Sequence, residues 1–127
     1  MSGCILVVDD DLDILEWTSM LLKSAGYVVL TATDGKGALD RLREGTIPSL
    51  ILLDLMMPGM NGWQFLDELH RDPSLTAIPV VIVSGGSYRE REIKSLGVAG
   101  YLKKPFDASQ LFATVEQFRS GADRHAP

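Results

Sequence analysis

The stretch Leu50-Ile51-Leu52-Leu53-Asp54-Leu55-Met56-Met57-Pro58-Gly59-Met60-Asn61-Gly62 decides the fold. Four apolar residues run into a single carboxylate, and turn formers follow at Pro58, Gly59, Asn61 and Gly62. An unbroken apolar run of this length suits a strand buried on both faces of a parallel sheet. The turn residues then force a loop. Asp54 therefore stands at the carboxyl end of a central strand, where an open α/β sheet keeps its ligand crevice.

The flanking segments repeat the strand-then-helix pattern. Cys4–Val8 is a β-branched run that ends in Asp9-Asp10-Asp11. A helix is predicted from Leu12 to Ala25, with Asp11 as its N-cap and Gly26 as its stop. Leu12, Leu15 and Leu22, with Ile14, Leu21 and Ala25, form its apolar spacing. A strand from Tyr27 to Ala32 and a helix from Gly35 to Glu44 follow, the helix capped by Asp34 and ended by Gly45. Beyond the central strand, Trp63–His70 reads as a helix with Phe65, Leu66 and Leu69 inward, broken at Asp72-Pro73. Val80–Val83 is a fourth strand, Ser84–Ser87 a flexible connection and Tyr88–Leu96 a polar, weak helix. Val98–Leu102 is a short fifth strand, and a last helix starts at Asp107 with Gln110 three residues on, a capping-box spacing. Leu111, Val115 and Phe118 supply its inner stripe.

Five strands alternating with five helices, without a hairpin dipeptide, predict one doubly wound parallel sheet covered on both faces. The 127 residues bound one domain, read as 1–120 with a polar tail at 121–127. Twelve basic against seventeen acidic residues, net −5, disfavour a direct nucleic-acid surface. No apolar run approaches the roughly 20 residues of a membrane helix, and no signal peptide is legible. The lone Cys4 excludes an internal disulfide and reads as a small core residue, which fits a cytoplasmic location.

Right-handed crossovers bring all strand-to-helix loops to one sheet edge. That edge collects Asp9, Asp10 and Asp11, then Asp54, Ser84 and Lys104. Two carboxylates about 4 Å apart repel by roughly 4 kcal/mol at an effective dielectric of 20. Three in one crevice need Lys104, a divalent cation, or both. Oxygen ligands without a His or Cys cluster favour Mg²⁺ over zinc. Phosphate or flavin binding through bare backbone N–H groups is disfavoured where three aspartates follow the first strand. Asp11 reads as a helix cap, not a ligand, and Lys103 as solvated. Met56, Met57 and Met60 read as loop packing, and His70 as a helix-end residue. Trp17 and Trp63 read as packing or helix-edge residues.

V-V-D-D, L-L-D-L-M-M-P-G-M-N-G, V-S-G and Y-L-K-K-P-F, in this order, resemble the receiver domain of response regulators in two-component signalling. The resemblance covers residues 4 to about 119 and implies a flavodoxin-like fold with strand order 2-1-3-4-5. It implies that Asp54 accepts a phosphoryl group from a histidine kinase or phosphotransfer protein. Asp9 and Asp10 would be the acidic pair around Mg²⁺, with Asp10 the direct ligand, together with Asp54 and the Met56 backbone carbonyl. Ser84 would be the switch hydroxyl, Tyr101 the switch aromatic and Lys104 the phosphate-binding lysine. The Lys104-Pro105 bond would be cis. The family's first helix often meets the kinase, which makes a kinase contact the alternative to packing for Trp17. The domain would regulate by a conformational change of its fourth helix, fifth strand and fifth helix, and would not be an enzyme beyond assisting its own phosphorylation and dephosphorylation. Its downstream target is not named by the sequence.

One departure is that Gly85 and Gly86 follow Ser84, where the family usually has Ala after the hydroxyl. With Met56 apolar and Gly86 bare, no side chain at these tuning positions orients an attacking water. Two other readings are a pseudo-receiver that binds proteins without phosphorylation, and an aspartyl-phosphate phosphatase of the haloacid-dehalogenase type. The phosphatase needs an acid two residues past its nucleophile, where this chain has Met56. With no output domain expected after the last helix, the chain reads as a single-domain regulator or as a fragment of a longer regulator or hybrid kinase.

Overall fold

The computed structural model describes residues 3–57, 59–86 and 88–118. Pro58 of the central loop, Ser87 and the 121–127 tail lie outside the described residues. The elements are β1 (Cys4–Val8), α1 (Leu12–Ser24), β2 (Val28–Ala32), α2 (Gly35–Arg43), β3 (Leu50–Leu53), α3 (Gly62–Arg71), β4 (Val80–Ser84), α4 (Glu90–Ser95), β5 (Gly100–Lys103) and α5 (Ala108–Phe118). The strands form one parallel sheet in the order β2-β1-β3-β4-β5.

Strand side chains alternate between two cores, as a pleat of period two requires. Leu6, Val8, Ile51, Leu53, Val80 and Ile82 face α2, α3 and α4, where Ala38, Leu42, Phe65, Leu69 and Ile93 meet them. Ile5, Val7, Leu50, Leu52, Val81 and Val83 face α1 and α5, against Leu15, Leu22, Leu111 and Val115. Both faces of β1, β3 and β4 are thus apolar, which is why these strands read as continuous apolar runs.

Several boundaries differ from the sequence expectation. On α1 the inward residues are Leu15, Thr18, Ser19 and Leu22, and Leu12 is 65% exposed, because it sits at the first helical position beyond the sheet edge. β2 begins at Val28, since the Tyr27 N–H is taken by the Leu22 carbonyl closing α1. α3 starts one residue earlier than expected. Asn61 and Gln64 form a capping box there, and Gly62 donates its N–H to Leu55. α4 is shorter, Glu90–Ser95, and β5 is shifted to Gly100–Lys103. Asp11 caps α1 through the N–H groups of Asp13 and Ile14, and Asp107 and Gln110 cap α5 reciprocally. Met57 is buried and Met60 packs on the core, but Met56 is 62% exposed. Cys4 is only partly buried. Among the described residues, no helix is long and apolar enough to cross a membrane.

Gly62 anchors the loop that carries the site. A Cβ there would lie 2.6 Å from the Leu55 Cα and 2.8 Å from the Asp54 carbonyl oxygen. Both are backbone atoms that cannot swing away. Gly62→Ala is therefore expected to destabilise the domain by about 2 kcal/mol, an overpacking cost, read as a lower urea midpoint at unchanged slope. An unchanged midpoint would show that α3 shifts freely off the loop.

Candidate functional site

Each site residue is placed by a strand end. The Asp9 N–H donates to Ala32 and the Asp54 N–H to Val8, so both carboxylates continue the ladder at the edge of the sheet. Asp9 is 3% exposed and Asp54 6% exposed, whereas Asp10 faces solvent. One carboxylate oxygen from each of Asp9, Asp10 and Asp54 lies within 4.8 Å of the others. Asp11 is committed to the α1 cap.

Lys104 reaches into this group from just beyond β5. Its Nζ lies 2.7 Å from Asp9 Oδ2 and 3.4 Å from Asp54 Oδ2. Asp9 Oδ1 accepts the Asp11 N–H at 2.9 Å, so both Asp9 oxygens are engaged. Asp54 Oδ1 accepts the Met56 N–H at 3.1 Å. Asp10 makes no side-chain hydrogen bond among the described residues, which leaves its oxygens open to a cation.

The charges respond accordingly. Burial pushes the Asp54 carboxyl above its ordinary value; the Met56 N–H and Lys104 oppose this, and the Asp9 charge adds to it. For Lys104, burial works against the ammonium, but the hydrogen bond to Asp9 and the charges of Asp9 and Asp54 outweigh it, and its pKa is raised. One lysine thus serves two buried carboxylates, and a third carboxylate lies beside them. The residues fit a hard divalent cation: three carboxylates converge, with no sulfur or imidazole in the cluster.

Ser84 closes β4 and is 1% exposed. Its carbonyl accepts the Lys104 N–H at 3.0 Å, which ties the fourth loop to the fifth. Among the described residues, its hydroxyl holds only a long contact, 3.4 Å, from the Gly86 N–H. The Tyr101 hydroxyl donates to the Gly86 carbonyl at 2.8 Å and reaches the Ser84 carbonyl at 3.2 Å. Burial raises its pKa, with Tyr88 contributing. Lys104-Pro105 is cis. Trp17 packs its ring on Phe106 with centroids 5.5 Å apart, and Trp63 packs edge-on to Tyr88 at 6.3 Å. His70 lies in the last turn of α3 beside Gly97, and Lys103 is exposed.

Tyr88, expected to open the polar helix, lies before α4 and packs edge-on against Tyr101. The signal available was Gly86, whose missing side chain leaves the space that the Tyr88 ring fills.

The profile of the response regulator receiver domain matches residues 5–116. The phosphate regulon transcriptional regulatory protein PhoB of Escherichia coli is 36% identical over 118 residues, 91% of this chain and 51% of that protein. The chain thus spans about half the length of PhoB. Protein PilH of Pseudomonas aeruginosa is 33% identical, over 92% of this chain and 98% of its own. The crystal structure of the Vibrio cholerae chemotaxis protein CheY4 superposes with a TM-score of 0.84 at 29% identity, covering 92% of this chain and 98% of that one. A sheet in the order 2-1-3-4-5, an acidic cluster at its edge and a profile match over most of the length place this chain in the response regulator receiver domain family of two-component systems.

Proposed function

We propose that the chain is a Mg²⁺-dependent phosphoacceptor, phosphorylated on Asp54 by a phosphohistidine of a histidine kinase or phosphotransfer protein. The observation that carries this reading is the convergence of Asp9, Asp10 and Asp54 around one lysine ammonium. Asp10, Asp54 and the Met56 carbonyl would hold the cation, with Asp9 completing the acidic set and positioning Lys104. When bound, the dication supplies positive charge against the phosphoryl oxygens.

The chain's own groups do the rest. An Asp54 carboxylate oxygen forms the O–P bond as the donor's N–P bond breaks, and the imidazole keeps the electron pair and regains a proton from solvent. Lys104 is already within reach of Asp54 and can follow the new oxygens without leaving Asp9. The Ser84 hydroxyl, held among the described residues only by its long contact to Gly86, can turn to a phosphoryl oxygen. Its loop follows, and Tyr101, bonded to that loop, transmits the change to the face formed by α4, β5 and α5.

The test is exposure to acetyl phosphate with Mg²⁺, followed by mass spectrometry. A single stable adduct on Asp54 is expected. No adduct on the wild type favours a pseudo-receiver, and continuous turnover favours a phosphatase. In the same buffer without phosphodonor, Mg²⁺ at about ten times its dissociation constant should add about 1.4 kcal/mol of stability. That is a rise of roughly 5 °C in Tm, and Asp10→Asn should remove it. A rise of equal size in the Asn variant would remove Asp10 from the ligand set.

A further inference from the structure

Three aromatic rings run in series from the fifth strand to the third helix. Tyr101 on β5 meets Tyr88 edge-on, at 6.3 Å and 89°. Tyr88 in turn meets Trp63 on α3 at 6.3 Å and 68°. The middle ring is seated over Gly86: a Cβ built there would fall 2.6 Å from the Tyr88 ring. The Gly86 carbonyl, meanwhile, accepts the Tyr101 hydroxyl at 2.8 Å. One residue of the loop after Ser84 is therefore contacted twice, by a hydrogen bond from Tyr101 and by the far end of the Tyr88 ring. The neighbouring Gly85 has no side chain to restrain the loop, so the contacts at Gly86 carry more of its positioning.

We propose that Tyr88 is a positioning residue of the switch: its ring couples the loop after Ser84 to α3, so that a phosphoryl group on Asp54 changes the surroundings of Trp63. The coupling rests on Asp54 being the phosphoacceptor. Rotation of the Ser84 hydroxyl towards phosphorus releases the Gly86 N–H and displaces the Gly86 backbone. That backbone is the floor on which Tyr88 rests, and the ring moves with it. Trp63 lies at the far end of the series and is 39% exposed, so its emission senses a change in the packing of Tyr88. Rings in contact pass such a displacement on from one to the next.

The chain has two tryptophans, and Trp17→Phe leaves Trp63 as the single reporter. In that background, treatment with acetyl phosphate and Mg²⁺ is expected to shift Trp63 emission or its quenching by acrylamide. Adding Tyr88→Ala should reduce the response about threefold or more, with phosphoryl incorporation measured on the same sample unchanged. Tyr88→Phe should restore it, since the coupling uses the ring. Gly86→Ala attacks from the other side: its methyl evicts the far end of a mobile ring, not backbone, so the fold survives and the response should fall as with Tyr88→Ala. Full incorporation with an undiminished Trp63 response in Tyr88→Ala overturns the coupling alone. Absence of incorporation in the parent protein overturns the phosphoacceptor reading, and the coupling with it.

Discussion

Asp54→Asn is expected to end phosphoryl uptake from acetyl phosphate while stabilising the metal-free domain at neutral pH by about 1 to 2 kcal/mol. The first half follows from the lost nucleophile: an amide oxygen does not form the acyl phosphate. The second follows from burial. Asp54 is 6% exposed and its carboxyl is held above the ordinary value, chiefly because burial disfavours its charge. A folded-state pKa above the unfolded value of 3.8 means that the native chain binds the proton more tightly. Native stability therefore falls as pH rises through the window from 3.8 to the raised value, and the penalty is complete above it. Asparagine keeps the shape and an oxygen for the Met56 N–H without the charge. Urea unfolding in chelator at pH 7 measures the gain, and Mg²⁺ should narrow it by stabilising the wild type alone. A less stable Asn variant in chelator would mean that the buried carboxylate is already fully compensated.

Lys104→Met should act in the opposite direction. Its ammonium is the cation on both Asp9 and Asp54, whose side chains are only 4% and 8% exposed. Removing one partner of a buried ionic group leaves uncompensated charge, which costs about 3 kcal/mol or more. Methionine keeps most of the stem's packing, so the loss isolates the charge. In the wild type the raised Lys104 pKa keeps the ammonium's contribution in place from neutrality up to 10.5, and on the alkaline side it is lost only as pH rises through the folded value. In the variant Asp54, without the ammonium that opposes the effect of its burial, should protonate more readily. Its deficit should therefore be largest near neutrality and shrink towards pH 4, the reverse of ordinary acid denaturation. Labelling by acetyl phosphate should slow at least about tenfold, since one stabilising charge worth about 1.4 kcal/mol or more is gone. Equal stability of variant and wild type at pH 7 in chelator would remove Lys104 from its role as counter-charge.

Much of the fold is legible in the sequence. The apolar runs at 4–8, 50–53 and 80–83 specify strands buried on two faces, because only a strand inside a doubly covered sheet tolerates so few polar residues. The caps at Asp11, Asp34 and Asp107 read correctly because capping is local chemistry within three residues. What failed was where local signals conflict. Tyr27 has strand propensity, yet its N–H closes α1. Leu12 has the right helical spacing, yet lies beyond the sheet it should cover. Tyr88 sits in a polar segment, and nothing within four residues reveals that its partners are Tyr101 and Trp63.

By itself the sequence determined the alternation of strands and helices, the edge at which Asp9, Asp10, Asp54, Ser84 and Lys104 gather, and the family. Right-handed crossovers leave a parallel sheet one edge for its strand-to-helix loops, so these follow from chain order. Only the tertiary structure decided which carboxylate the lysine holds at 2.7 Å, that Asp10 stays open to solvent, and that Gly86 is contacted by two tyrosines. Those outcomes depend on side-chain distances between residues up to 95 positions apart, and no local pattern of residue types encodes them.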